Sequence, residues 1–211
     1  MSPVEFIPGA EESGLIGELG RWVLHEACRQ LGEWNRRWGS ELTMNINVSG
    51  VQLRDPGLMD DVANALAANG IPPRLVTLEI TESVMVEHAS STDMLDSLRS
   101  IGVGLAIDDF GTGYSSLAYL RHFPVTSVKI DRTFIQELTP TTDSPLVRSV
   151  VSLARSLQLT TVAEGVETQE QLEALDKLNC GLVQGFYLGR PQPPDEVETR
   201  LDGQFARLRA S

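Results

Sequence analysis

Residues able to hold a cation or contact a phosphate recur along this chain, each at the end of a short apolar stretch. Asn47 ends the first stretch, Glu79 with Thr81 and Glu82 the second, and the adjacent pair Asp108 and Asp109 the third. Lys129 with Asp131, Glu164 with Glu167, and finally Gln184 continue the series. One polar residue at the end of a strand is ordinary. Carboxylates at the same end of successive strands describe a pocket that concentrates negative charge, and such a pocket requires cations. Divalent metal is therefore the first expectation. Adjacent carboxylates can face different ions, with Asp108 bridging and Asp109 holding the second, in a site whose two metals lie about 3.5 to 4 Å apart.

These residues need elements that bring them to one place. Thr43 to Val48 alternates apolar and polar residues as a strand does. Leu75 to Thr81, Val103 to Ile107, Ser127 to Asp131, Thr161 to Ala163 and Leu182 to Leu188 read as five further strands. Leu15, Ile16, Leu19, Trp22, Val23, Cys28, Leu31 and Trp34 recur at helical spacing and mark a long amphipathic helix ending near Gly39. Trp22, Trp34 and Trp38 are expected on its buried or partly buried face. Further helices are expected over Pro56 to Asn69, Ser91 to Ser100, around Ser115 to Arg121, and from the cap Ser144-Pro145 to about Leu157. Thr168 with Gln171 has capping-box spacing and opens a helix to Leu178. Ser2, Pro3 and Glu5 form another start signal. The charged tail from Asp195 to Ala210 is expected to be helical.

Strand and helix alternate in units of roughly 20 to 35 residues, the pattern of a parallel α/β architecture. In an open flat sheet, strands sit about 4.8 Å apart, so groups on five strand ends would spread over roughly 20 Å. Convergence on one metal pair favours a barrel, whose active site lies at the C-terminal strand ends. The six strands counted here fall short of the eight that close such a barrel.

A chain of 211 residues, 41% hydrophobic, suffices for one substantial core, and residues 1–211 are expected to form one domain. The net charge of −12 and a pI near 4.6 argue against general nucleic-acid binding, which needs a basic surface. If the ligand is anionic, metals and a few placed cations must overcome the adverse field. Cys28 and Cys180 have neither CxxC spacing nor a disulfide framework, which fits a reducing, cytoplasmic setting. Nothing in the sequence reads as a signal peptide or a bilayer-spanning segment, although a membrane-anchored parent chain is compatible with this. His25, His88 and His122 have no ligand-spaced partners and read as surface or packing residues.

Each candidate also has a structural explanation. Lys129 could be an interior lysine paired with Asp108, because a buried cation must find a partner. Glu164 and Glu167 could complement a helix dipole, Gln184 could satisfy backbone groups, and Asn47 could cap a turn. Asp109-Phe110-Gly111 also matches a kinase tripeptide, but the glycine-rich loop and His-Arg-Asp motif of a kinase are absent. Gly111-Thr112-Gly113 lacks the third glycine of a dinucleotide fingerprint.

Six ordered motifs together resemble the EAL-domain family of cyclic di-GMP phosphodiesterases. They are Asn45-Ile46-Asn47-Val48-Ser49, Leu78-Glu79-Ile80-Thr81-Glu82-Ser83, Asp108-Asp109-Phe110-Gly111-Thr112-Gly113-Tyr114-Ser115-Ser116-Leu117, Val128-Lys129-Ile130-Asp131-Arg132, Ala163-Glu164-Gly165-Val166-Glu167-Thr168 and Gln184-Gly185-Phe186. The resemblance runs from Ser2 to about Pro194 and implies a modified (β/α)8 barrel that linearises cyclic di-GMP to pGpG with Mg²⁺ or Mn²⁺. By it, Asn47, Glu79 and Asp108 hold the first ion, and Asp108 and Asp109 the second. Glu164 is a second-site ligand or general base, and Lys129 positions or polarises the attacking water. Thr81, Asp131, Glu167 and Gln184 line the substrate-binding mouth, and Glu82 anchors the loop from Asp109 to Ser116. Phosphodiester hydrolysis needs a deprotonated nucleophile, neutralised phosphoryl oxygens and a stabilised leaving oxygen, and two metals can supply all three.

In the family, two strands precede the Ser-Pro helix, and the second carries the Glu-Ala-Leu signature with a metal-ligating glutamate and a nearby phosphate-contacting arginine. Neither residue has an equivalent in these 211 residues. The sequence therefore leads to four expectations. They are an open barrel of about six strands, a weakened first metal site, and low or absent hydrolysis by this form, with a catalytically silent cyclic di-GMP receptor or dimerisation module as the alternative. The fourth is self-association, or association with a missing N-terminal segment, in a parent chain that can carry sensory domains.

Overall fold

The computed structural model describes residues 3–87, 92–112, 120–136, 138–139 and 144–210, with backbone alone at 4, 87 and 206–210. Six strands pair in chain order and all in parallel: β1 (Met44–Asn47), β2 (Val76–Thr81), β3 (Gly104–Phe110), β4 (Ser127–Ile130), β5 (Thr160–Ala163) and β6 (Leu182–Val183). Two helices, α1 (Pro3–Ser13) and α2 (Ile16–Trp38), precede the sheet. After β1 come α3 (Gly50–Leu53) and α4 (Leu58–Asn69), and after β2 come α5 (Glu82–Glu87) and α6 (Asp93–Ile101). Then α7 (Arg132–Ile135) and α8 (Pro145–Ser156) follow β4, α9 (Gln169–Lys177) follows β5, and α10 (Pro194–Ala210) follows β6.

Side chains alternate across each strand, so the parallel register sorts them onto two faces of the sheet. Ile46, Leu78, Ile80, Leu105, Ile107, Val128, Ile130 and Ala163 are buried together with Leu24, Cys28 and Leu31 of α2 and Val62 and Leu66 of α4. Asn45, Asn47, Glu79, Asp108, Lys129 and Glu164 occupy the alternate positions. The sheet curls toward this polar face. Glu79 at β2 and Glu164 beyond β5 both bond the ammonium of Lys129, whereas a flat sheet would hold strands three steps apart at roughly 14 Å. The result is a half-barrel, in which β1 and β6 each have one strand neighbour among the described residues.

Among the described residues the expected elements are present, with instructive differences. The third strand does not stop at Ile107 but continues through the aspartate pair to Phe110. The last is only two residues long rather than reaching Leu188. Gly185 packs there so closely on Val166 that a Cβ would meet its carbonyl oxygen at 2.1 Å. Bonds from Val166 N–H to Gln184 O and from Tyr187 N–H to Val166 O hold the turned chain. Trp22 is 64% exposed, against the expectation of a buried or partly buried position. Trp38 is buried and stacks on Phe205 of α10, with ring centroids 5.6 Å apart. Trp38 and Arg37 also bond Asp202, and Trp34 and Arg37 bond Glu198, which ties α10 to α2. The Thr168–Gln171 capping box forms as expected, and Ser49 with Gln52 forms a second one that the pattern missed. Ser144 precedes α8 without a side-chain cap bond. Ser2, His88 and the stretch 115–119 lie outside the described residues. No helix among the described residues is long and apolar enough to cross a membrane.

Candidate metal centre at the strand ends

Lys129 is the hub of the polar face. It is 3% exposed, and its ammonium donates to Glu79 Oε2 at 2.8 Å, Asp108 Oδ1 at 2.9 Å and Glu164 Oε1 at 2.7 Å. Burial on its own would depress the lysine pKa, but these bonds outweigh it and hold the group above the usual lysine range. The pairing with Asp108 that a structural lysine would show is present, and it is one of three.

Asp108 and Asp109 are neighbours in sequence and should face opposite sides of a strand. The β3–β4 ladder runs Ile107 to Val128 and then Phe110 to Ile130, so two residues oppose one between those pairs. This bulge frees both aspartates from strict alternation. Asp109 takes the left-handed backbone region at φ 55°, and its N–H bonds Asp108 Oδ1 at 3.0 Å. Carboxylate oxygens of Asp108, Asp109 and Glu164 then lie within 4.8 Å of one another. The next turn is clamped from two sides. Gly111 N–H donates to Glu82 at 2.8 Å, and a Cβ on Gly111 would meet the Phe134 ring of α7 at 2.9 Å.

The electrostatics are those of a site short of positive charge. Burial, then the charges of Asp108 and Asp131, raise the pKa of Asp109 against the opposing pull of Lys129 and Arg132. Burial also raises Glu164, and its bond to Lys129 only partly offsets this. Asp131 behaves oppositely. Burial raises it, but bonds from the Thr133 hydroxyl and N–H, with the backbone of Arg132, hold it below the ordinary aspartate range. An all-oxygen donor set with surplus negative charge fits a hard divalent cation such as Mg²⁺ or Mn²⁺.

Thr81 stands opposite Asp108 in the β2–β3 register, and Asn47 opposite Glu79 in the β1–β2 register. Asp131 caps α7 through Thr133. Glu167 and Gln184 are exposed on the loops leaving β5 and β6. Glu79 is not among the three gathered carboxylates; it joins them through Lys129. Two residues that the sequence marks only as part of a motif and of a helix cap, Asn45 and Gln171, also hold the surroundings of the site. Asn45 Nδ2 donates to Glu79 Oε1 at 2.8 Å; its two-residue spacing puts it on the same face as Asn47 but does not pair it with Glu79. Gln171 accepts from Glu167 N–H at 2.7 Å and donates to Ile135 O at 3.1 Å, joining the loop after β5 to α7. A cavity of about 480 Å³ between Leu53, Arg54, Met85 and Met94 has none of the strand-end residues in its lining.

A parallel α/β half-barrel with a carboxylate cluster where its strands end defines a barrel-type protein with a metal-ready mouth. Comparison with known proteins narrows that class. A family model described as EAL domain matches residues 1–191, and the chain belongs to the EAL-domain family. The chain is 45% identical over 199 residues to the bifunctional diguanylate cyclase/cyclic di-GMP phosphodiesterase MucR of Pseudomonas aeruginosa, covering 93% of this chain and 29% of that protein. It is 45% identical over 197 residues to the oxygen sensor protein DosP of Escherichia coli, covering 92% and 25%. It thus spans between a quarter and a third of the length of these curated relatives. Among solved structures, the PaMucR phosphodiesterase in a c-di-GMP complex superposes with a TM-score of 0.87 at 45% identity, covering 93% of this chain and 81% of that one. The EAL domain of Mycobacterium smegmatis DcpA gives a TM-score of 0.81 at 43% identity, covering 89% and 86%.

Proposed function

We propose that this chain is a metal-dependent cyclic di-GMP phosphodiesterase domain that opens its substrate to pGpG. The observation that carries the reading is the grouping of Asp108, Asp109 and Glu164 around an oxygen-lined space beside buried Lys129. Asn47, Glu79 and Asp108 would hold one ion, and Asp108 and Asp109 a second. Bound there, divalent ions supply charge neutralisation and an activated water. Glu164, gathered with Asp108 and Asp109 and bonded by Lys129, acts as general base or as a further ligand. Lys129 positions or polarises the attacking water. Thr81, Asp131, Glu167 and Gln184 contact the substrate, and Glu82 holds the Asp109 loop through Gly111.

Hydrolysis by the 211 residues alone is expected to be weak. The polar face is open at both edges, and Glu79 is bonded by Lys129 and Asn45 rather than gathered with the other carboxylates. That last observation also supports a second reading, a receptor that binds cyclic di-GMP without turnover. The open edges of β1 and β6, with Leu182 at 57% and Phe186 at 47% exposure, favour self-association or capture of another segment of chain. A compact monomer at all concentrations in light scattering would contradict that.

The deciding assay incubates the protein with cyclic di-GMP and Mg²⁺ or Mn²⁺ and separates pGpG from substrate by chromatography. Turnover that falls about 10²- to 10⁴-fold in Glu164→Ala supports the enzyme. Tight binding with no turnover supports the receptor, and neither binding nor turnover refutes both.

A further inference from the structure

We propose that Asn45 is a positioning residue for the metal centre, acting through Glu79 by fixing the rotation of its carboxylate. The proposal rests on the assignment of Glu79 as a ligand made above. Glu79 is 5% exposed, and each of its oxygens has its own donor: Asn45 on Oε1 and Lys129 on Oε2, both at 2.8 Å. A carboxylate oxygen has capacity for more than one contact, so both can still face an ion. Without Asn45 the carboxylate would be held at one oxygen only, by an ammonium that also serves Asp108 and Glu164.

The strand register explains how an edge residue reaches a buried one. Asn45 lies opposite Thr77 and Asn47 opposite Glu79, so Asn45 reaches Glu79 on the diagonal of the same face. The two asparagines of β1 therefore divide the work. Asn47 stands level with Glu79, and Asn45 holds it from one pleat below. Asn45 is a neutral donor, so it orients Glu79 without competing for the charge that a cation would neutralise, as Lys129 must. It is itself exposed on an edge strand, so its replacement perturbs little besides this bond.

The test uses Mn²⁺ alone, titrated into the 211-residue chain and followed by the electron paramagnetic resonance of free Mn²⁺, with no turnover involved. Asn45→Ala is compared with Asn45→Thr, a residue that favours strands but is too short to reach Glu79. Both are expected to weaken Mn²⁺ uptake about tenfold, the effect of one hydrogen bond to a charged group, with melting temperatures little changed. Glu79→Gln should weaken uptake at least as much, and adding Asn45→Ala to it should change nothing further, because the two residues act as one unit. Wild-type affinity in both Asn45 variants, or losses that add to that of Glu79→Gln, would overturn the proposal while leaving the ligand assignment intact. Unchanged uptake in Glu79→Gln, or no uptake by the unsubstituted chain, would overturn the ligand assignment and the proposal with it.

Discussion

The two faces of the sheet are built from alternate residues of the same strands yet rest on different forces. On the helix-covered face, Leu78, Ile80, Leu105 and Ile130 are fully buried, and their contribution is non-directional and proportional to area. On the concave face, Glu79, Asp108 and Glu164 are tolerated because one ammonium bonds all three. Burying charge without partners is costly, so this face depends on cations as the other depends on packing. One ladder of backbone hydrogen bonds thus serves a core that needs no ligand and a site whose energetics call for one.

The contrast is sharpest at Lys129. In Lys129→Met three carboxylates face one another without their common partner, and the metal-free protein should lose about 3–5 kcal/mol in urea unfolding. Saturating Mn²⁺ should restore much of that loss. Leu78→Ala on the opposite face should cost about 2–5 kcal/mol through the cavity it leaves, and Mn²⁺ should raise mutant and parent equally. Rescue of both variants, or of neither, would break the division between the faces.

A smaller effect is expected from pH. Glu164 and Asp109 are raised in the folded protein, so their neutral forms are favoured there. Their contribution is present below the unfolded carboxylate pKa near about 4 and is lost as pH rises through the elevated folded values. Asp131 is lowered, so its contribution is present above the unfolded value and is lost as pH falls through the lower folded value. The metal-free melting temperature should therefore rise as pH falls from neutrality toward the carboxylate range, then fall in stronger acid. Saturating Mg²⁺ should remove the first trend. A metal-free melting temperature flat from neutrality to mild acid would contradict the picture of a cation-deficient site.

The smallest perturbation probes the packed side. Cys28 of α2 is fully buried, and burial raises its thiol to about 11, whereas Cys180 is partly exposed. A thiol reagent at mildly alkaline pH should modify Cys180 readily and Cys28 only on unfolding. Equal rates at both would show that the helical layer opens easily.

Much of this arrangement was legible in the residue pattern. The alternation in Thr43 to Val48, the helix end near Gly39 and the Thr168–Gln171 box are local signals, and local bonding decides them. The gathering of Asp108, Asp109 and Glu164 could be anticipated because each residue follows an apolar strand. The bulge was not visible, because Val103 to Ile107 reads as a complete strand and the extra residue is defined only by pairing with β4. Trp22 misled because helical spacing shows which residues share a stripe, not whether another element covers it. Asn45 was hidden for a related reason. Its partner Glu79 lies 34 positions away, on a diagonal that only the β1–β2 register creates.

The proposed function requires that side chains scattered from β2 to β5 meet around divalent metal. Crystals soaked in Mn²⁺ and measured for anomalous scattering test it directly. A peak bonded to Asp108 and Asp109, with Glu164 beside it, is expected. A site left empty at saturating Mn²⁺, or a peak held by other residues, would contradict it.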